Sequence, residues 1–365
     1  MTTISIPVYK PFLGGNVRAY VDDCIDSTWV SSRGKYVDEF EKSFGAYVGT
    51  EHATSVFNGT VALHLALVAL GINPGDEVIV PTFTYVASVN TILQVGAVPV
   101  FVDSLADTLQ VDPSAVKAAI NERTRAIMAV HLYGHPCDMQ ALSDLATQHG
   151  LYVIEDAAEG FGSRISGQHV GTFSDVATFS FFGNKTITTG EGGMILAKDP
   201  EIIDRCRHLK SQGVSKQREY WHDSLAFNYR MTNIQAAIGL AQLEMAEDIL
   251  ARKRSVAAHY SSALQGLPLR FHNPVGPVDH SYWMCSIILE DPADRTALRQ
   301  HLAENGIETR PFFPLTHTMP HCAGYAEAPI AAKLSASGIN LPSFPGLTIE
   351  ELEVVTESIR RFFGK

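Results

Sequence analysis

Between residues 55 and 200, short and nearly continuous apolar runs alternate with helix-like runs, and this alternation constrains the fold more than any other feature. The runs lie in PGDEVIVPTFTYVAS, in GAVPVFVD ending at Asp103, in RAIMAVHLYG, LYVIEDAAEGFG and ATFSFF, and in GGMILA. A strand apolar at nearly every position must be covered on both faces. Such strands spaced by helices predict a mostly parallel sheet in an α/β fold. The polar residues cluster just after the runs, at the carboxyl ends of the strands, where open α/β sheets hold their ligands. Residues 233–257 read as one long helix leaving the sheet. RTALRQHLAENGIETRPFF then reads as helix, glycine turn and strand, and ELEVVTESIRRFF as an amphipathic helix. This predicts a large domain over residues 1–250 and a smaller α+β domain over 251–365.

Composition narrows the function classes. A formal net charge of -11 lacks the basic footprint of a nucleic-acid binder and disfavours adsorption to anionic membranes. The longest apolar stretch, Ala62–Leu70, is interrupted by His64 and falls far short of the ~20 residues that span a bilayer. The opening MTTISIPVYKPF has no charged segment followed by a long apolar one, so no secretory leader is expected. Cys24, Cys137, Cys206, Cys285 and Cys322 are scattered, without CxxC or Cys/His pairing. They read as reduced thiols of a cytoplasmic protein, and no metal site is expected.

Chemistry concentrates in ATFSFFGNKTITTGEGGMI, residues 177–195. Lys185 sits in a polar, glycine-rich loop between two strands, either as a lysine made nucleophilic by its surroundings or as a solvated lysine beside a turn. Ser180, at a strand end, is placed to bind a phosphate oxygen. Asp156 follows the run LYVIE. It can neutralise a protonated pyridine nitrogen or merely cap a helix, and Glu159 shares its face if a helix starts there. Gly59 and Thr60 open the helix VALHLALVAL, whose amides form an anion site or an ordinary capped end. Tyr85, in PTFTYVAS, reads as a ring lying flat on an aromatic cofactor or as a core tyrosine. Anion cradle, aromatic ring, acid, serine and lysine follow one another at sheet ends, the parts needed to hold pyridoxal phosphate.

The runs TWVSSRG, NGTVALHLAL, PGDEVIVPTFTYVAS, VHLYGHPCDM, VIEDAAEGFGS, FSFFGNKTITTGEGGM and FNYRMTNIQAAIGLAQLE resemble the DegT/DnrJ/EryC1/StrS sugar aminotransferases, from about residue 5 to the end. The resemblance implies a fold-type I aminotransferase with a mostly parallel seven-stranded sheet and pyridoxal 5'-phosphate as cofactor. It implies a Schiff base on Lys185, the ring nitrogen on Asp156, Tyr85 stacked on the ring, and Gly59, Thr60 and Ser180 around the phosphate. Asn228, in FNYRMTN, matches a residue that reaches the phosphate from the other subunit, which implies a homodimer with shared sites.

The resemblance further implies L-glutamate as amino donor and a keto sugar as acceptor. The branch nearest to FGNKTITTGEGGM takes a GDP-linked 4-keto-6-deoxymannose. Ser31, Ser32 and His317 match segments lining the sugar pocket in relatives, and also read as plain loop residues. Arg310, in GIETRPFF, either clamps an anionic group or forms a surface ion pair. Two other acceptors or roles stay open: an 8-keto octulosonic acid without nucleotide, and a cofactor-binding regulatory or dehydratase-like protein. The retained Lys185 argues against the last. No GxGxxG follows an early strand, which argues against a nicotinamide oxidoreductase.

Overall fold

A computed structural model describes residues 5–322, 324 and 326–365, so the first four residues of the opening segment read for a leader lie outside it. Seven strands form the main sheet in the order β1-β9-β8-β5-β4-β2-β3. They are β1 (Ala53–Val56), β2 (Glu77–Pro81), β3 (Val98–Val102), β4 (Thr124–Val130), β5 (Tyr152–Asp156), β8 (Val176–Ser180) and β9 (Gly193–Ala197). Neighbours from β3 to β8 run parallel, while β9 is antiparallel to both β8 and β1.

The alternation of side chains across the pleat sends successive residues to opposite faces. Val78, Val80, Ala126, Met128 and Ile154 pack on one face with the helix Gly59–Ala69. Ile79, Ile127, Ala129 and Val153 pack on the other with Met139–His149. Both faces are covered, which is why the strands are apolar throughout. Because β2, β4, β5 and β8 are parallel, their carboxyl ends meet at one edge, with Val130 paired to Asp156 and Asp156 to Thr178.

A second sheet, ordered β10-β12-β14-β13, joins β10 (Leu269–Phe271), β12 (Cys285–Leu289), β14 (Gly338–Leu341) and β13 (Arg310–Pro311). Its core takes Val256 and Tyr260 from one helix, Leu298 and Leu302 from a second, and Leu352, Val355 and Ile359 from the last. Residue 6 pairs with Ile307 beside this sheet, so the amino-terminal segment lies along the later part of the chain. A small sheet of β11 (Val278–Asp279), β6 (Arg164–Ile165) and β7 (Gln168–His169) ties the two regions together.

One expectation is corrected here. Residues 233–257 are not a single helix: Asn233–Glu244 and Ala246–Ala263 meet at Met245, whose φ of -101° and ψ of 5° break the helical run. The Met245 side chain at the joint packs beside Gly14 and Gly15. No helix of the described residues is long and apolar enough to cross a membrane.

Candidate active site

The strand ends converge on a cavity of about 330 Å³ lined by residues of both sheet regions. Gly59, Thr60, Tyr85, Asp156, Glu159, Ser180 and Lys185 all line it. The sequence therefore names seven of the eighteen residues that line it.

At one end, Asn58 caps the helix Gly59–Ala69 by accepting the Val61 N–H at 3.0 Å. The free amides of the first turn face the cavity end, as an anion site requires. A Cβ added to Gly59 would lie 2.7 Å from Ser180 Cβ, so only glycine allows helix and strand end to meet. Gly59, Thr60 and Ser180 thus form one tight cradle suited to a phosphate.

On the floor, Asp156 ends β5. Its Oδ2 accepts the Ser88 hydroxyl at 2.7 Å and its Oδ1 the Ala158 N–H at 3.2 Å. No helix follows, since residues 158–162 form turns. This removes the helix-cap reading of Asp156. The expected one-face spacing of Asp156 and Glu159 is replaced by a turn that nevertheless brings both to the cavity. Tyr85 is 57% exposed, which excludes a core tyrosine and leaves its ring over the cavity, 5.5 Å from that of Phe313.

Lys185 is largely buried at 14% exposure, which excludes a solvated surface lysine. Its Nζ lies 3.8 Å from Glu159 Oε1 and 4.1 Å from the centre of the Trp283 ring. Burial holds its amine below the ordinary lysine value, and the Glu159 and Asp156 carboxylates oppose that shift. Burial likewise pushes Glu159 up to about 7, with Lys185 limiting the rise. Both shifts favour a neutral pair, and a neutral amine is the nucleophile toward a carbonyl.

Several wall residues had no signal in sequence order. Trp283 and Phe313 arrive from the second sheet region, and Glu191 from the loop before β9. Tyr133 donates its N–H to Glu159 Oε2 at 2.8 Å from a left-handed backbone, φ 57°. Such a conformation in a bulky residue is uncommon enough to have been unreadable from VHLYG.

Other named residues lie away from the cavity lining of this chain. Asn228 is exposed, and its Oδ1 accepts the Arg230 guanidinium. Ser31 lends its carbonyl to the Asn233 N–H at 2.6 Å, and Ser32 adjoins it. His317 shares a hydrogen bond between its Nδ1 and Thr82 Oγ1. Arg310 pairs with Glu308 at 2.6 Å, the ion-pair arrangement left open above.

The family model of the DegT/DnrJ/EryC1/StrS aminotransferases matches residues 12–360. The chain is 54% identical over 364 residues to the GDP-perosamine synthase of Vibrio cholerae, covering 98% of this chain and 99% of that one. Among solved structures it is similar to DesV of S. venezuelae in complex with a ketimine intermediate, with 37% identity and a TM-score of 0.91. That likeness covers 96% of this chain and 95% of DesV. Spr1654 from Streptococcus pneumoniae, in its PLP-form, superposes with a TM-score of 0.93 at 28% identity, covering 98% of each chain.

Proposed function

This chain belongs to the DegT/DnrJ/EryC1/StrS aminotransferase family, and we propose that it transfers an amino group from L-glutamate to a GDP-linked 4-keto-6-deoxy hexose, with pyridoxal 5'-phosphate attached to Lys185. The observation that carries the cofactor reading is the convergence of Lys185, Asp156, Tyr85 and the Gly59–Thr60–Ser180 cradle on one cavity. The GDP-linked acceptor follows the similarity to the Vibrio cholerae GDP-perosamine synthase.

Pyridoxal phosphate, when bound, supplies a conjugated ring that accepts the electron pair left by a departing proton. The residues of the chain do the rest. Thr60, Ser180 and the helix amides bind the phosphate, and Gly59 permits their approach. Asp156 would hold a proton on the ring nitrogen by charge balance, with its carboxylate fixed by the Ser88 hydroxyl and the Ala158 N–H. Tyr85 covers the ring face, and Glu159 stands beside Lys185. Lys185 Nζ, once released, takes a proton from the donor carbon and later returns one to the sugar carbon. Alternating donor and acceptor in one site gives ping-pong kinetics.

Among the described residues lining the cavity, Lys185 is the one cation, beside the acids Asp156, Glu159 and Glu191. Anionic substrates therefore need donors from outside this lining. That supports a homodimer in which Asn228 of one subunit completes the other's phosphate site, and a substrate channel supplied by Arg33, Lys216, Arg218, Arg230 and Arg310. Ser31, Ser32 and His317 are assigned to that channel. On this reading residues 1–250 hold the cofactor and residues 251–365 close over the sugar.

The test is a direct assay with glutamate as donor. Product from the GDP-linked keto sugar and none from an eight-carbon 8-keto octulosonic acid is the expected outcome. The reverse pattern overturns the acceptor and leaves the amino transfer standing.

A further inference from the structure

Trp283 is 4% exposed and stands two residues before β12. A buried indole N–H needs an acceptor, and the acceptor it takes fixes where the ring stands. Here Nε1–H donates to the Asn184 carbonyl at 2.8 Å, on the residue immediately before Lys185. The ring face meets Lys185 Nζ at 4.1 Å. The same ring lies nearly parallel to Tyr133, at 12° and 6.2 Å. Tyr133 in turn holds Glu159 through its N–H, and Glu159 Oε1 stands 3.8 Å from the amine. Behind Trp283, the buried Lys253 donates from Nζ to the Trp283 carbonyl at 3.3 Å and to the Ser343 carbonyl at 2.6 Å. Asn184, Lys185, Glu159, Tyr133 and Trp283 therefore form a closed frame around one amine.

We propose that Trp283 is the resting face for the freed amine of Lys185, a positioning residue that holds Nζ over the cavity whenever the lysine is not joined to the cofactor. This rests on the reading that Lys185 attaches and releases that cofactor. A lysine with such a cycle needs a holding place for its amine. A carboxylate in direct contact would keep it as ammonium and engage its protons. A π face attracts the ammonium through the ring quadrupole but accepts no proton, and it leaves the nitrogen lone pair free once the amine is neutral. Glu159, at 3.8 Å, stops short of a direct hydrogen bond. The indole thus holds the amine in place without binding its proton.

The test reads the titration of Lys185 itself, in the cofactor-free full-length chain. The rate at which trinitrobenzenesulfonate modifies Lys185 is followed against pH by mass spectrometry of its peptide. Fluorine on the indole ring weakens the quadrupole with little change of volume. Protein made with mono-, di- and trifluorotryptophan should therefore show a midpoint falling step by step, by about one pH unit in all, a tenfold loss of ammonium. Trp29 and Trp221 are also replaced, but both are half-exposed, and Trp221 faces Arg218, not Lys185. Trp283→Leu should move the midpoint the same way, with Trp283→Phe between. Where the leucine variant does not fold, the fluorinated series decides alone. A midpoint unmoved or raised in that series overturns the proposal. Borohydride reduction of the parent chain with its cofactor separately tests the attachment. Label on another lysine would refute that reading whatever the titration shows.

Discussion

Gly59→Ala puts the anion cradle to a quantitative test. The added Cβ would lie 2.7 Å from Ser180 Cβ, 3.0 Å from its Oγ and 3.4 Å from its Cα. Carbon atoms prefer about 3.5–4.0 Å, so the shortfall at the Cβ is roughly 1 Å. A Cβ on Gly193, the strand partner of Ser180, would meet the Asn58 carbonyl at 2.6 Å, so the start of the helix packs closely on the paired ends of β8 and β9. Either the helix start or Ser180 must move. Overpacking of this kind costs about 1–3 kcal/mol. Alanine recovers up to about 1 kcal/mol of helix propensity, less at the first turn than in a helix interior. The expected net loss is about 1–2 kcal/mol, read by urea denaturation of the cofactor-free chain. Ser180→Gly removes both atoms the new methyl strikes. The double variant should regain most of the lost stability, with a coupling of about 1–2 kcal/mol in the mutant cycle. Cofactor affinity, titrated by absorbance, should fall in both single variants and stay low in the double, because the hydroxyl is gone. A Gly59→Ala protein within about 0.5 kcal/mol of the parent and with unchanged affinity would refute the close approach.

Lys185→Ala should abolish amino transfer and leave the fold intact, and borohydride should attach the cofactor of the parent chain to Lys185; label elsewhere sinks the assignment. Asp156→Asn should cut turnover by about 10²-fold or more with little loss of stability, because an amide cannot balance a ring-nitrogen charge; near-parent turnover would leave Asp156 a structural residue. Mixing inactive Lys185→Ala and Asn228→Ala chains should restore activity if one site draws on both subunits, and an active monomer would refute sharing. Burial holds His272 down at about 3 and His169 at about 4, against the ordinary 6.5. The unfolded chain then binds more protons below pH 6.5. Their contribution is complete above that pH and is lost as pH falls toward 4, at about 1.4 kcal/mol per unit for each histidine. His272→Gln should flatten the urea stability profile between pH 6 and 4.5, and an unchanged slope would refute the assignment.

The legible part of this site follows from topology. Once Glu77–Pro81, Thr124–Val130, Tyr152–Asp156 and Val176–Ser180 are read as parallel strands, their following residues must gather at one edge. That is why Asp156, Ser180 and Tyr85 could be placed near one another from position, while their roles stayed open between site and structural readings until the resemblance was added. Their exact settings were not readable. Asp156 and Glu159 meet through turns instead of a helix, because Glu159 is pulled to the Tyr133 N–H across the strand ends. Trp283 and Phe313 reach the cavity only through the docking of the second sheet region, and nothing in SYWMC or PFF marks them beyond their aromatic character. The break at Met245 was equally hidden, since EMAED reads as continuous helix and the packing of Met245 beside Gly14 and Gly15 joins residues more than two hundred positions apart.

The electrostatics of the cavity bear on how an acidic chain can handle anionic substrates. With a net charge of -11, long-range attraction cannot gather a nucleotide diphosphate or glutamate. Local donors must do so, and this chain's lining offers one amine, itself held below the ordinary lysine value by burial. The helix amides at Gly59 and Thr60 act without regard to net charge, since their dipoles point into the cavity whatever the surface carries. On the proposed reading, fixed dipoles would hold the phosphate and leave Lys185 available as a base. A second lysine or arginine placed in this lining would draw Glu159 below about 7, and its like charge would push the Lys185 amine further down. On the same reading, the single cation of the lining leaves the recognition of anionic substrates to donors beyond it.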